Sequence, residues 1–178
     1  MNALTHIRLL GADDDLVAIT DMIHDAYSAH AEKGLRYWGS YQTVEDTVSR
    51  FASGKAYVAE SGGSIVGTIT IQRPQPDSEL ELYRAPTTRS ITQFVVAPSH
   101  QGRGIGALLH EQAIASAARE NALTLALDTA EPASGLISMY KKWGYEICGK
   151  CDWRPLTNYV SILMSRCITD TERARYAL

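Results

Sequence analysis

The most informative stretch of this chain is residues 94–107, which run Phe94-Val95-Val96-Ala97-Pro98-Ser99-His100-Gln101-Gly102-Arg103-Gly104-Ile105-Gly106-Ala107. The stretch begins with apolar, partly β-branched residues, which predict a strand. Pro98 should end this strand, because proline cannot donate a hydrogen bond to a sheet. Three glycines then alternate with other residues and lead into an alanine-rich segment that favours a helix.

This strand–turn–helix arrangement suits the binding of an anion. Glycine lets the backbone adopt positive φ and approach a ligand closely. Successive amide N–H groups then point into one concavity, and the helix N-terminus adds a partial positive charge. Arg103 can contribute a fixed cation. The stretch therefore predicts a pyrophosphate site, against the alternative of a flexible turn that merely joins a strand to a helix.

A dinucleotide site of the Rossmann type is the main competing interpretation. That site places its first glycine close behind the strand and spaces its glycines G-x-G-x-x-G. Here residues 97–101 separate Val96 from Gly102, and the third glycine comes one position early. Asp128 at the end of a later strand keeps the Rossmann alternative open, because such a site has an acidic residue at a similar place. However, too little α/β alternation follows the glycines for a Rossmann fold.

Working outward, the rest of the chain predicts one mixed α/β domain with the element order β-α-α-β-β-β-α-β-α-β-β. Aspartates at 13–15 can cap the first helix, and Thr43 with Asp46 can form a capping box for the second. The second helix is predicted to bury the side formed by Val44, Val48 and Phe51.

The less regular segments give weaker expectations. Gly62-Gly63 indicates a hairpin turn. Residues 72–89 are expected to be mostly loop, in which Leu80–Tyr83 could extend a strand. The last dozen residues are expected to be polar and frayed.

Composition narrows the class of protein. The chain has 178 residues, 45% hydrophobic residues and a net charge of −3, which suits one globular domain. Without a basic patch containing aromatic residues, nucleic acid is not expected as a partner. No apolar run approaches the roughly 20 residues needed to cross a bilayer, and Met1–Leu10 lacks the features of a signal peptide. Three cysteines and scattered histidines predict reduced thiols, a cytoplasmic location and no metal.

At this point the chain resembles the GNAT acetyltransferase family. Val96-Ala97-Pro98 followed by Gln101-Gly102-Arg103-Gly104-Ile105-Gly106 is similar to its V-x-P and Q/R-x-x-G-x-G/A signature. Leu125–Asp128 resembles its fifth strand, and Tyr140–Tyr145 resembles its Y-x-x-x-G-F/Y motif. The resemblance covers roughly residues 5–166.

The resemblance implies a single-domain GNAT-like α/β fold with a mixed, mostly antiparallel sheet, splayed between strands 4 and 5 and flanked by four helices. Residues 1–166 would form the acetyltransferase domain and 167–178 a polar C-terminal tail.

The resemblance also implies a co-substrate, acetyl-CoA, and transfer of its acetyl group to an amine by direct attack in a ternary complex. Backbone groups of Phe94, Val95 and Val96 would pair with the pantetheine arm. The pyrophosphate would be held by the turn, namely Gln101, Gly102, Arg103, Gly104, Ile105, Gly106 and Ala107. Where the family often has an asparagine this chain has Ala133, so one polar contact to the cofactor is either missing or supplied by another residue, for which Ser134 is the candidate.

Two residues match catalytic positions of the family. Asp128 would be the general base that accepts the amine proton, and Tyr140 the acid that faces the CoA sulfur. The alternatives are an aspartate that only caps a loop and a tyrosine that only packs. Other carboxylates, at Glu79, Glu81 and Glu131, remain candidates for the base.

An aromatic loop lies between the first two helices, where the family often builds its acceptor pocket, and it contains Tyr37, Trp38 and Tyr41. Tyr27 precedes it on the first helix, and Trp153 lies in the loop between the last strands. Tyr27, Trp38 and Tyr41 are the candidate acceptor residues, although the cluster could be an ordinary packed loop. The acceptor is expected to be a small-molecule amine. A peptide or protein acceptor, or a non-catalytic acyl-CoA-binding module, remains an alternative, and a homodimer is left open.

Overall fold

The computed structural model describes residues 4–177, so residues 1–3 of the predicted domain and residue 178 of the predicted tail lie outside it. These residues form one seven-stranded sheet in the order β1-β2-β3-β4-β5-β7-β6. The strands are β1 (Thr5–Leu9), β2 (Gly54–Ser61), β3 (Ser64–Gln72), β4 (Thr88–Val96), β5 (Thr124–Ala130), β6 (Glu146–Asp152) and β7 (Val160–Cys167). The β4–β5 pair is parallel and the other neighbouring pairs are antiparallel, which confirms the predicted mixed sheet.

Residues 4–177 contain six α-helices beside the sheet, whereas the sequence predicted four. They are α1 (Leu16–Ala31), α2 (Val44–Ala52), α3 (Glu81–Arg84), α4 (Ile105–Arg119), α5 (Ser134–Lys142) and α6 (Asp170–Tyr176). The predicted caps of the first two helices are confirmed. Asp15 accepts from the amides of Val17 and Ala18, and Thr43 forms a capping box with Asp46.

The two additional helices correct predictions made from the sequence. Residues 81–84 form the single turn α3 rather than a strand, because Tyr83 packs beneath it with Ala126 and Leu163. The C-terminal segment is not frayed. Its helix α6 starts at a capping box formed by Thr169 and Glu172, directly after the buried Ile168.

Both faces of the sheet are covered by helices. Helix α4 packs on one face, where Leu109 and Ala113 join Ile69, Ile91 and Leu125. Helices α1 and α2 cover the other face, where Ile19, Ile23 and Phe51 pack against Val95 of β4. Burial of each large aliphatic side chain stabilises the fold by roughly 1.5–3 kcal/mol, so the two layers hold the central strands in place.

The middle of the sheet is split at β4. This strand pairs with β5 only from Thr88 to Ser90, and beyond that point the two strands diverge. Opposite β3, Ile69 alone faces two residues of β4, Gln93 and Phe94, which makes a β-bulge. Gln93 has φ +51°, a conformation uncommon for a residue other than glycine. The bulge turns the end of β4 away from β5 and opens a cleft, as the predicted splay requires.

Candidate active site

A cavity of about 660 Å³ fills the gap between the ends of β4 and β5. Its walls come from the glycine turn, from α1 and α2, from the segment after α1 and from α5. Most residues singled out from the sequence line it, namely Tyr27, Trp38, Phe94, Val95, Val96, Gln101, Gly102, Gly104, Ile105, Gly106, Asp128 and Tyr140. The fold thus brings the predicted donor, catalytic and acceptor residues to one space.

Four predicted site residues do not line this cavity. Arg103 in the turn and Ala107 in the first turn of α4 are both exposed and lie outside the lining. Ser134 is exposed at the start of α5. Tyr41 donates a hydrogen bond from its hydroxyl to the carbonyl of Leu156 at 2.6 Å, and the Arg36 guanidinium lies 4.4 Å from its ring centroid. Tyr41 therefore fastens one surface loop to another beside the cavity.

The glycine turn is open in the way an anion site requires. Gly102 has φ +74° and Gly104 has φ +82°, so both use the left-handed region that favours glycine. A Cβ at either position would meet no heavy atom within 4 Å outside its chain neighbours. Gly104 is the N-cap of α4 and offers no side chain to the first amides of that helix. These N–H groups and the helix dipole can therefore act on a ligand.

The end of β4 provides a second open surface. Beyond Ser90, among residues 4–177, no strand pairs with the edge of β4 that faces β5. On its other edge the strand stays paired with β3 through Val95 and Val96. The side-chain amide of Gln101 donates to the carbonyl of Val96 at 3.0 Å and so ties the turn to the strand. An extended ligand could add to the free edge as a further strand would.

Asp128 lies near the C-terminal end of β5, two residues before the strand ends, and both of its carboxylate oxygens accept hydrogen bonds. The Tyr83 hydroxyl donates to Oδ1 and the Trp153 indole N–H donates to Oδ2, each at 2.9 Å. Burial and the adjacent Asp128 raise the pKa of Tyr83, so this hydroxyl keeps its proton and remains a donor. The carboxylate is thereby fixed in position while its remaining lone pairs stay free to accept.

Asp128 is also set apart from the other candidate carboxylates. Among the described residues it is the single acidic side chain that lines the cavity, whereas Glu79, Glu81 and Glu131 lie outside the lining. Glu131 instead pairs with Lys150 at 2.5 Å.

Tyr140 projects from α5 into the same cavity. Its ring packs edge-on against Trp143 and Tyr145, with centroid separations of 5.9 and 5.7 Å. Burial, reinforced by Tyr27, Tyr37 and Asp128, raises the pKa of Tyr140 far above its ordinary value, so the hydroxyl is neutral at physiological pH. A neutral hydroxyl in this place can donate a hydrogen bond to a negatively charged atom.

The acceptor side of the cavity is aromatic. Tyr37 lies between Tyr27 and Tyr159 with centroid separations of 5.1 and 5.0 Å, and His30 packs against it. Burial raises the pKa of Tyr27 to about 12 and lowers the pKa of His30, so both groups are neutral near pH 7.

Arg50 is a lining residue that the sequence did not single out. It lies on the inner face of α2, one helical turn after the buried Thr47. The predicted inner face of α2 was partly wrong, because Val48 is 46% exposed whereas Thr47 is buried. The available signal was the helical spacing that places Arg50 three positions after Thr47, on the same face of α2. The assumption that Val48 faces inward hid this signal.

Two features of the described residues bear on other classes of protein. Within residues 4–177 no cluster of three or more histidine, cysteine or acidic side chains could hold a metal ion. None of the helices in this same range has the length and apolar character needed to span a membrane.

Comparison with known proteins agrees with this geometry. The model of the acetyltransferase (GNAT) family matches residues 17–145. The S-(2-succino)cysteine N-acetyltransferase of Bacillus subtilis (strain 168) is 26% identical over 148 residues, which cover 80% of this chain and 86% of that protein.

Solved structures of low sequence identity share the fold. The ribosomal-protein-S18-alanine N-acetyltransferase of Escherichia coli superposes with a TM-score of 0.71 at 15% identity, covering 93% of this chain and 95% of that one. A GNAT family acetyltransferase from Elizabethkingia anophelis with acetyl-CoA bound gives a TM-score of 0.65 at 18% identity, with 92% and 97% covered.

Proposed function

The chain belongs to the acetyltransferase (GNAT) family and is an acyl-CoA-dependent acetyltransferase, and from this premise we propose that it transfers an acetyl group to the amine of a small molecule by direct attack. The observation that carries the proposal is the meeting of three features in one cavity. These are the open glycine turn, the fixed carboxylate of Asp128 and the neutral hydroxyl of Tyr140.

The donor half of the cavity fits acetyl-CoA, which supplies an activated acyl group as a thioester. In our proposal the amides at the start of α4 hold the pyrophosphate, and the free edge of β4 pairs with the pantetheine arm. The absence of a Cβ at Gly102 and Gly104 leaves room for the close approach that this requires. Arg103 is exposed and lies outside the lining, so its contribution would be limited to a phosphate at the outer rim.

Asp128 handles the proton of the attacking amine in this proposal. An alkylamine has a pKa near 10, so only about one molecule in a thousand is neutral at pH 7, a penalty of roughly 4 kcal/mol. Asp128 would first bind the ammonium and accept a proton from it, and the neutral amine formed in this way would then attack the thioester carbon with its free lone pair. The bonds from Tyr83 and Trp153 keep the carboxylate aimed into the cavity while this happens.

Tyr140 acts on the leaving sulfur in this proposal. The raised pKa of its hydroxyl lies far above that of a thiol, near 8.5. Tyr140 would therefore stabilise the developing thiolate chiefly as a hydrogen-bond donor, and full proton transfer would be uphill.

A small acceptor is favoured over a peptide by the way the acceptor side is closed. Loop 32–41 is tied to loop 153–158 by the Tyr41–Leu156 bond and by Asn158, whose Nδ2 donates to the carbonyl of Gly34 and whose Oδ1 accepts from the amide of Arg36. Both loops contribute to the cavity lining through Trp38, Leu156 and Thr157, and in our proposal they leave too little room for a peptide chain. The name of the Bacillus subtilis relative gives a cysteine derivative as the acceptor of that enzyme, which agrees with a small-molecule amine here.

The proposal is tested by incubating the protein with acetyl-CoA and a panel of small amines, with free thiol and the acetylated product measured together. We expect thiol release that depends on at least one amine. Acetylation of a peptide library with no reaction of small amines would refute the small-molecule assignment. Acetyl-CoA binding without turnover of any acceptor would support a non-catalytic binding module instead.

A further inference from the structure

Arg50 is a cation built into the acceptor side of the cavity. Its Nη1 donates to Gln42 Oε1 at 2.6 Å and its Nη2 donates to Thr92 Oγ1 at 2.7 Å. The guanidinium also lies 4.6 Å from the ring centroid of Trp38. These three contacts fix the plane and direction of the side chain.

The partners of Arg50 are neutral. Among residues 4–177, no carboxylate lies within 4 Å of the guanidinium. By contrast, Arg89 and Arg166, whose side chains are 12% and 13% exposed, each form an ion pair with a glutamate. Arg50 is half-buried, and a charge removed from water is costly unless a group of opposite charge lies in contact with it. A guanidinium has five N–H donors, and two are used here. The remaining donors are available to an anion inside the cavity.

The position of Arg50 separates it from the proposed pyrophosphate site. Its anchor Thr92 precedes the bulge, whereas the glycine turn begins after Val96 at the far end of β4. Four strand residues span about 13 Å. Arg50 is therefore on the aromatic side of the cavity, beside Trp38, rather than at the amides of α4.

Two opposite charges thus line one chamber from different walls, with Asp128 on β5 and Arg50 on α2. A ligand that matches both carries a cationic group for Asp128 and an anionic group for Arg50, and a carboxylate matches the planar fork of the guanidinium. Resting on the proposed function above, we infer that the acceptor is an amino acid or a similar amino carboxylate, whose carboxylate is bound by Arg50 while its amine lies at Asp128. Arg50 is then a specificity-determining residue, and polyamines are disfavoured because it repels a second cation.

The test uses matched acceptors that differ in the carboxylate. The panel contains amino acids, S-substituted cysteines included, with the carboxamide and the decarboxylated amine of each. Thiol release from acetyl-CoA is followed as a function of acceptor concentration. We expect the carboxylate-bearing member of a pair to be preferred, and Arg50→Gln to raise its KM about 10–100-fold, the range for a hydrogen bond to a charged group. The KM of acetyl-CoA should not change.

Two further variants separate recognition from folding. Arg50→Lys keeps the charge without the planar fork and should recover part of the preference for the carboxylate. Arg73→Gln removes an arginine that lies outside the cavity lining and should behave as wild type. Thermal unfolding of each variant checks that the fold is retained.

The outcomes distinguish this inference from the proposed function. If amines are acetylated equally with and without a carboxylate, the inference is wrong and the acetyltransferase assignment stands. A loss of acetyl-CoA affinity in Arg50→Gln would also overturn it, because Arg50 would then serve the donor. If no small amine reacts at all, both fail.

Discussion

Replacement of Gly104 by valine tests the placement of the donor most directly. Gly104 has φ +82° and ψ −1°, and a residue with a Cβ costs about 1–2 kcal/mol in this region, more when it is β-branched. A Cβ at this position meets no heavy atom within 4 Å outside its chain neighbours. The penalty is therefore backbone strain alone, which a domain of this size should tolerate.

The strain can be relieved in two ways, and both reach the proposed pyrophosphate site. If the backbone keeps its positive φ, the valine side chain stands in the concavity and blocks close approach of the phosphates. If φ changes sign, the amides at the start of α4 turn away from the cavity. Strain of 1–2 kcal/mol alone corresponds to about 5–30-fold in affinity, and steric exclusion adds to this. We expect binding of CoA to be abolished while the fold persists.

Titration calorimetry with CoA, combined with thermal unfolding, measures both quantities. Gly63→Val is the matched control, because Gly63 has φ +80° with open space around it but lies in the β2–β3 hairpin away from the cavity. Both variants should lose similar stability, and Gly104→Val alone should lose affinity. Wild-type affinity for CoA in Gly104→Val would show that the pyrophosphate lies elsewhere.

Three further substitutions test other parts of the site and fold. Tyr140→Phe should lower kcat about 100-fold with the affinity for CoA unchanged, and an unaltered kcat would reduce Tyr140 to a packing residue. Asp128→Asn should lower kcat/KM for the amine about 100-fold at pH 7. The loss should be smaller at high pH, where the amine is already neutral. An unchanged pH profile would show that another group, such as the neutral His30, accepts the proton. Burial lowers the pKa of His110 to about 4, whereas the pKa of a histidine in the unfolded chain is near 6.5. The free energy of unfolding should therefore fall by up to about 3 kcal/mol as the pH is lowered from 6.5 to 4, because only the unfolded chain binds the proton in this range. His110→Gln should remove this part of the pH dependence of Tm, and an equal slope in both proteins would contradict the account.

The parts of the structure that could be predicted from the sequence are those set by local patterns. Pro98 and the three glycines mark the turn after β4, and Thr43 with Asp46 marks the start of α2. Each depends on residues close together in the chain, whose backbone preferences act regardless of the surroundings. The resemblance to a family then supplied the splay between β4 and β5, which no local pattern encodes.

The parts that could not be predicted depend on contacts between distant segments. Tyr83 was placed in a loop or strand, yet it is 45 residues from Asp128 and donates to it. Tyr41 was expected in the acceptor pocket, but a bond to Leu156, 115 residues away, draws it aside. Helix α6 follows from the burial of Ile168, which a polar composition does not reveal.

The bulge in β4 explains why donor and acceptor chemistry can share one strand. Before it, Thr92 faces α2 and holds Arg50; after it, the free edge of β4 leads to the glycine turn. The bulge has an energetic cost, since Gln93 has positive φ and its side-chain amide is buried without a hydrogen-bond partner among residues 4–177. A buried unpaired polar group costs about 1–3 kcal/mol. A regular strand would avoid this cost, but it would keep β4 paired with β5 and close the cleft in which the acyl group must meet the amine.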